Sequence, residues 1–360
     1  MKRIYILLTS TVFVFSLQQA KAQYDAEIKG SIADATALVN AYGKPVLIGL
    51  GEGSNGGWFN TAKTKKLLKF ELRISATDAI VPTSDKTFDV TKIGLSDRIQ
   101  PDNPNNVIAP TVAGNQNALG PLMDSYVYEN GTPIRTGQFN TSSGKVPSIP
   151  TPQFQLTVGF LGNTDITVRG IPNVNIGGTG YSVSSIGFAI RHNILKDFAK
   201  KDEEPPFDLS VAFAYSTLSL TIPVNVGAGV GAQPDPNAST YGGTQNSDFS
   251  NQKLKGTINN LLGQLLISKK IAFFTPFVAA GYNTTKATVG TSGNFPFITS
   301  TSEGTNYYTT YQNVVNINET TISGLRVDLG LQLNLAFFNI YASASESKYM
   351  SVNGGIGLSF

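Results

Sequence analysis

The chain has 360 residues with no cysteine and one histidine, which removes disulfide frameworks, thiol nucleophiles and most zinc sites. Lysine and arginine number 27 against 24 acidic residues. Three of those cations, Lys2, Arg3 and Lys21, fall in the first 22 residues, so the remainder is formally neutral and nothing in its charge points to nucleic acid.

Residues 1–22 read as a secretory signal: basic Lys2 and Arg3, an apolar run from Ile4 to Leu17, and the small-x-small site Ala20-Lys21-Ala22. The alternative is a membrane anchor, but the run is short of the roughly 20 residues a spanning helix needs. No later stretch is long and apolar enough to cross as a helix, so any membrane role falls to strands.

A first segment, 23–64, precedes the strands. Ile28, Ile32, Ala35, Val39 and Tyr42 recur at helical spacing, predicting an amphipathic helix over 25–42 stopped by Gly43 and Pro45. Residues 49–62 read as a glycine-rich connector holding the only tryptophan, Trp58. Gly49-Leu50-Gly51-Glu52-Gly53 superficially matches a dinucleotide loop, but Ser54 stands where the third glycine belongs and no βαβ pattern follows.

From residue 65 to 360 the period becomes two. Leu68 to Ala76 alternate with Lys69 to Thr77, Phe154 to Phe160 with Gln153 to Gly159, and 325–335 places Leu or Val at every odd position. Such lengths match the roughly 9–11 residues of a membrane-crossing strand. In 207–223 the apolar register switches after Tyr215, which predicts either a bulge near Ser216 and Thr217 or a strand that ends there. Short links at 162–165, 195–206, 268–270 and 336–338 alternate with long polar stretches at 224–250 and 290–319. That is the turn-and-loop asymmetry of outer-membrane barrels. It puts Phe160, Phe198, Phe207, Phe273, Phe274, Phe337, Phe338 and Phe360 at the periplasmic rim, and Tyr181, Tyr282 and Tyr349 at the outer one.

The last ten residues alternate and finish on Phe360. They resemble the C-terminal signal by which bacterial outer-membrane proteins engage the barrel-assembly machinery, with Gly354 a departure from the usual larger residue. Nine strands are expected from 153 onward and at least one more before it, an even number of ten to fourteen in all. Residues 96–150 are either one long outer loop or hide a hairpin around 124–138. The expected fold is thus an all-β, antiparallel transmembrane outer-membrane β-barrel with a small N-terminal helical hatch. Its surroundings are the outer-membrane lipid of a Gram-negative bacterium.

Charge facing lipid near the midplane costs about 2–4 kcal/mol for Lys or Arg, so Lys69, Glu71, Arg73, Arg169, Arg191, Arg326 and Asp328 should point into the lumen. They serve either as a solute-selecting lining or, the reading favoured for any single one, as a bracing salt-bridge network. His192 reads as part of a polar strand end, and 200–204 (Lys-Lys-Asp-Glu-Glu) as a solvated turn. Neither suggests catalysis, and no cofactor or metal is expected.

The segment Trp58-Phe59-Asn60-Thr61-Ala62, just before the first strand, resembles the motif that follows the N-terminal hatch in the FadL-like family of long-chain fatty-acid and aromatic-hydrocarbon transporters. Thr61 stands where that family has proline. The layout resembles more closely a group of Bacteroidetes-type outer-membrane barrels of uncharacterised function. The resemblance implies passive transport of a hydrophobic or amphipathic small-molecule ligand, with Trp58, Phe59 and Asn60 lining an apolar site and lumenal arginines holding a carboxylate. The alternative is a structural or surface-binding barrel whose long outer loops contact a partner.

Overall fold

The computed structural model describes residues 31–175, 180–199 and 205–360. The signal sequence, the first residues of the expected helix and the charged link 200–204 lie outside the described residues. Ten antiparallel strands close into a barrel. They are β1 (Phe70–Ile80), β2 (Ser148–Phe160), β3 (Thr164–Asn175), β4 (Ser182–Asn193), β5 (Asp208–Pro223), β6 (Lys253–Ser268), β7 (Phe274–Ser292), β8 (Asn316–Leu335), β9 (Phe338–Glu346) and β10 (Ser351–Ser359). Each pairs with its sequence neighbour, and β1 closes the ring between β2 and β10, Leu72 lying opposite Leu156 and Leu358. Closure leaves no unpaired edge, which is what lets strands cross hydrocarbon. Among the described residues the strand number is therefore the lowest of those expected. The hairpin around 124–138 exists, as Leu122–Glu129 paired with Thr132–Asn140, but it belongs to the loop after β1 and not to the wall.

Alternation sets the two faces of the wall. On β1, Phe70, Leu72 and Ile74 are exposed while Glu71, Arg73 and Ser75 are buried. On β8, Leu325, Val327, Leu329 and Leu331 point out while Arg326, Asp328 and Gln332 point in. Lys69, expected inside, is exposed because the strand begins one residue after it. At the short-turn end Phe160, Phe198, Phe207, Phe273, Phe337, Phe338 and Phe360 are exposed, with Phe360 stacked on Phe70 at 5.2 Å. At the opposite end only one of the three expected tyrosines faces out. Tyr282 is exposed, whereas Tyr181 and Tyr349 are buried.

β5 corrects another expectation. It runs unbroken from Asp208 to Pro223 with a continuous register against β6, so there is no bulge at Ser216 and Thr217. The apolar residues change face because the surroundings change. Up to Tyr215 the outside is lipid; beyond it Leu218, Leu220 and Ile222 turn inward and pack against apolar residues of a helix. The bulges lie instead at Thr285/Lys286 in β7 against β8 and at Ile171/Val174 in β3 against β4.

That helix, α1 (Ile32–Asn55), threads the barrel. Ser31 caps it by accepting from Asp34 N at 3.2 Å. It does not stop at Gly43 and Pro45 but runs on into the expected connector as far as Asn55. Proline and glycine break helices in water because a hydrogen bond or backbone entropy is lost. Here the loss is offset by fit. A helix with side chains is about 10–12 Å across, and a ten-stranded barrel leaves little more. A Cβ on Gly49 would fall 2.5 Å from Ile149 Cγ1, one on Gly51 2.7 Å from Thr285 Cγ2, and one on Gly53 2.0 Å from Thr151 Oγ1. The glycines are where helix backbone meets wall. The upper half of α1 packs Val39, Tyr42 and Leu47 among Leu218, Leu254, Ile258, Val289 and Ile317.

The lumen is thus layered. Where the wall is bathed in lipid its inner face is largely polar, apart from one patch of alanines with Leu262 and Leu266, and where the wall rises beyond lipid its inner face is apolar and its outer face polar.

Candidate functional site

The lower lumen is built around residues 52–65, which pass from the last turn of α1 to the foot of β1. Four arginines from four strands converge on this segment. Arg326 donates to Glu52 Oε2 at 2.9 Å and to Asp328 Oδ1 at 2.9 Å. Arg73 pairs with Glu71 at 2.8 Å and donates to Asn60 Oδ1 at 2.7 Å. Arg191 pairs with Asp165 and donates to the Thr61 carbonyl. Arg169 donates to the Gly56 carbonyl at 2.8 Å and to the Ser54 carbonyl. It supplies at the C-terminus of α1 the positive charge that the last turn lacks, where orphan carbonyls and the helix dipole favour a cation.

Every arginine singled out from the sequence is therefore buried and in contact with the inner segment or its anchors. Asp328 is an anchor, holding Arg326, Gln264 and Ser345. Arg169 differs from the others. Among the described residues it has no carboxylate within 4 Å, and its partners are main-chain carbonyls and the face of Trp58, 3.6 Å from the ring centroid.

Trp58 and Phe59 sit in a niche of small side chains: Ala189 on β4, Ala212 and Ala214 on β5, and Ala279 on β7, floored by Leu262 and Leu266. Gly187 belongs to the same provision, since a Cβ there would lie 2.9 Å from the Trp58 ring. Arg191 lies 5.6 Å from the Phe59 ring centroid. Asn60 is buried and reaches Arg73. Below them Ala62 N donates to Ser268 Oγ at 2.8 Å, Thr61 Oγ1 lies 3.0 Å from the same atom, and Lys65 reaches Glu71. Burial pushes the Lys65 ammonium below the usual lysine range, and Glu71 beside it opposes that shift.

Sequence reasoning missed two members. Glu52 falls in the expected connector, yet it is fully buried and accepts from Lys348 N at 3.0 Å and Tyr349 N at 3.3 Å as well as from Arg326. Tyr349, expected at the lipid interface, turns inward and donates to Asp85 Oδ2 at 2.7 Å, and burial with that hydrogen bond raises its phenol well above the ordinary range. The two tie the β9–β10 turn to both the helix and the outer loop. The one signal for Glu52 was an acid four residues before a glycine-rich helix end.

The upper mouth is covered by loops. Tyr42 donates to the Ser143 carbonyl at 2.9 Å, Asp34 accepts from Ser96, and the hairpin over 122–140 reaches the one over 295–311 through Thr301 N to Glu129 and Asn306 to the Thr136 carbonyl.

Solved structures of three bacterial outer-membrane proteins are similar at low level. The outer membrane protease OmpT of Escherichia coli is 8% identical, with 85% of this chain and 100% of that one covered and a TM-score of 0.33. The outer membrane transporter YddB of E. coli is 11% identical, covering 80% and 41%, at 0.29. The toluene transporter TodX of Pseudomonas putida is 9% identical, covering 82% and 68%, at 0.27. At these scores the likeness assigns no function to this chain. The sequence matches no curated protein. A family model does match, and over residues 1–360: the chain belongs to the family of unknown function DUF6588.

Proposed function

We propose that the protein is an outer-membrane passive transporter for hydrophobic or amphipathic small molecules, and that residues 32–64 are its gate. The observation that carries this reading is the way Trp58 and Phe59 fill the alanine niche. An apolar body lies against Ala189, Ala212, Ala214 and Ala279, and electron-rich carbonyls lie on Arg169 and close to Arg191. An amphipathic carboxylate has the same two halves. It competes with the inner segment for the niche and for Arg169, whose present partners are neutral carbonyls and a ring. Charge-assisted bonds to a carboxylate are about twice as strong as neutral ones, so the exchange favours an anionic head. Residues 53–64 are held by hydrogen bonds and packing, with Glu52 paired to Arg326 above them, so the part that would leave and return is the segment below the helix end.

The absence of cysteine makes the test clean. Thr61 and Ser268 place their hydroxyl oxygens 3.0 Å apart, so Thr61→Cys with Ser268→Cys ties the segment to β6. Uptake of a fatty acid or a monoaromatic carboxylate by cells carrying the oxidised double variant should fall to the level of cells lacking the protein. A reductant should restore it. Equal uptake with the tether closed overturns the reading. The clasped outer hairpins support a second one, a surface-binding barrel that transports nothing. It predicts that neither tethered nor reduced protein changes uptake.

A further inference from the structure

The outer face of β5–β8 changes character along one line. Tyr215, Leu261, Tyr282 and Leu325 are exposed neighbours across successive ladders, Tyr215 opposite Leu261 and Tyr282 opposite Leu325. Toward the short-turn end, outward positions are apolar: Leu265, Ile267, Val278, Val327, Leu329. Toward the long loops the same strands continue for roughly eight residues without another outward apolar side chain of that size. Tyrosine at such a boundary marks the membrane–water interface. The band above it is therefore at the depth of the outer-leaflet headgroups, on the side where the longest strands, 16 to 20 residues, carry rigid sheet past the lipid.

The chemistry of that band is narrow. Its outward positions are hydroxyls and amides, such as Ser219, Thr257, Thr288 and Asn318, interrupted by three lysines, Lys253, Lys255 and Lys286. Lys255 and Lys286 are exposed, and Lys253 is half-buried. None of the three has an ion pair among the described residues, and no acid faces outward on β5–β8; Glu346 faces out on the neighbouring β9, opposite Val327 and on the apolar side of the tyrosine line. On β8 beside Lys286, Glu319 falls on the inner side opposite Ala287. Lys255 is opposite Gly290 and Lys286 opposite Asn259, so the two lie four residues apart along the ladder, about 13 Å. Solvated protein surfaces normally mix both signs of charge. A face with fixed cations set in a carpet of hydroxyls, at headgroup depth, has a specific complement: a saccharide bearing phosphates.

We propose that this band binds the phosphorylated saccharide headgroup of an outer-leaflet glycolipid, the lysines taking the phosphates and the threonine and asparagine side chains the sugar. The site depends on the membrane orientation of the barrel and not on transport, so it stands or falls apart from the gate.

The test uses full-length protein extracted from outer membranes, exchanged into mild detergent and weighed by native mass spectrometry. Wild type should retain phosphorylated glycolipid. The triple variant Lys253→Ala, Lys255→Ala, Lys286→Ala should bind it on the order of a hundredfold more weakly. A triple arginine variant should keep it, and gel mobility of unboiled samples reports that each variant is folded. Added purified glycolipid should rebind, and enzymatically dephosphorylated glycolipid should not. Retention unchanged in the alanine variant, equal binding of dephosphorylated lipid, displacement by inorganic phosphate at about the same concentration as by glycolipid, or retention of an anionic phospholipid in its place would each overturn the proposal.

Discussion

Arg326 of β8 and Glu52 of α1 meet at 2.9 Å with both side chains fully removed from solvent, joining the barrel wall to the last turn of the helix inside it. The pair is one of four arginine attachments, and it is the one that also reaches the β9–β10 turn through the main-chain donors of Lys348 and Tyr349.

Breaking it from one side strands a buried charge. Glu52→Gln and Arg326→Met should each destabilise the folded barrel by about 3–5 kcal/mol. The double variant Glu52→Gln, Arg326→Met should lose less than the sum of the two single changes. The temperature at which unboiled protein loses its fast gel mobility measures all three.

Gly53 leaves no room for a side chain, since its Cβ would meet Thr151 Oγ1 at 2.0 Å. Gly53→Val should expel the lower half of α1 from its seat, exposing residues 45–60 to added protease. Thr151→Gly in the same chain should restore protection. The partner change makes the outcome a matter of volume and not of helix propensity, which favours valine over glycine.

Trp58 is the only tryptophan, and it is buried against Arg169. Its emission should be blue-shifted and protected from acrylamide. Arg169→Met removes a cation–π contact and the hydrogen bonds to Gly56 and Ser54, costing about 2–4 kcal/mol. It should raise acrylamide quenching toward that of an unfolded control, even where the barrel keeps its gel mobility.

The lipid boundary drawn on β6 can be tested on one strand. Leu265→Arg, in the apolar belt, should cost about 2–4 kcal/mol, whereas Thr257→Arg, four positions beyond Leu261, should cost about 0–1. Reversible unfolding into urea from lipid vesicles gives both numbers.

The wall was legible because lipid imposes a strict rule: outward residues must be apolar, so Leu325 to Leu335 could be read against Arg326 and Asp328 without ambiguity. What lay inside was not. Gly43 and Pro45 terminate a helix that water must solvate, and only the closeness of Ile149, Thr151 and Thr285 shows why glycines extend this one. The same interior explains Leu218, whose register matches a bulge when lipid is assumed throughout but fits a continuous strand once α1 is present. Tyr349 misled for a related reason: an aromatic at a strand end is an interfacial anchor unless something inside, here Asp85, draws it in. Arg73, Arg169, Arg191 and Arg326 could be placed in the lumen from alternation alone, yet each also holds a group of the inner segment, whose path no periodicity describes.

The glycine face of α1 has a consequence for how the barrel is closed. Gly49 and Gly53 rest on β2, Gly56 on Thr77 of β1, and Gly57 on Asn353 of β10. These are the strands that meet at the seam, and Thr77 and Asn353 stand opposite each other across it. The inner segment therefore touches both sides of the closure at one level, so the first and last strands share a common partner inside the barrel as well as each other.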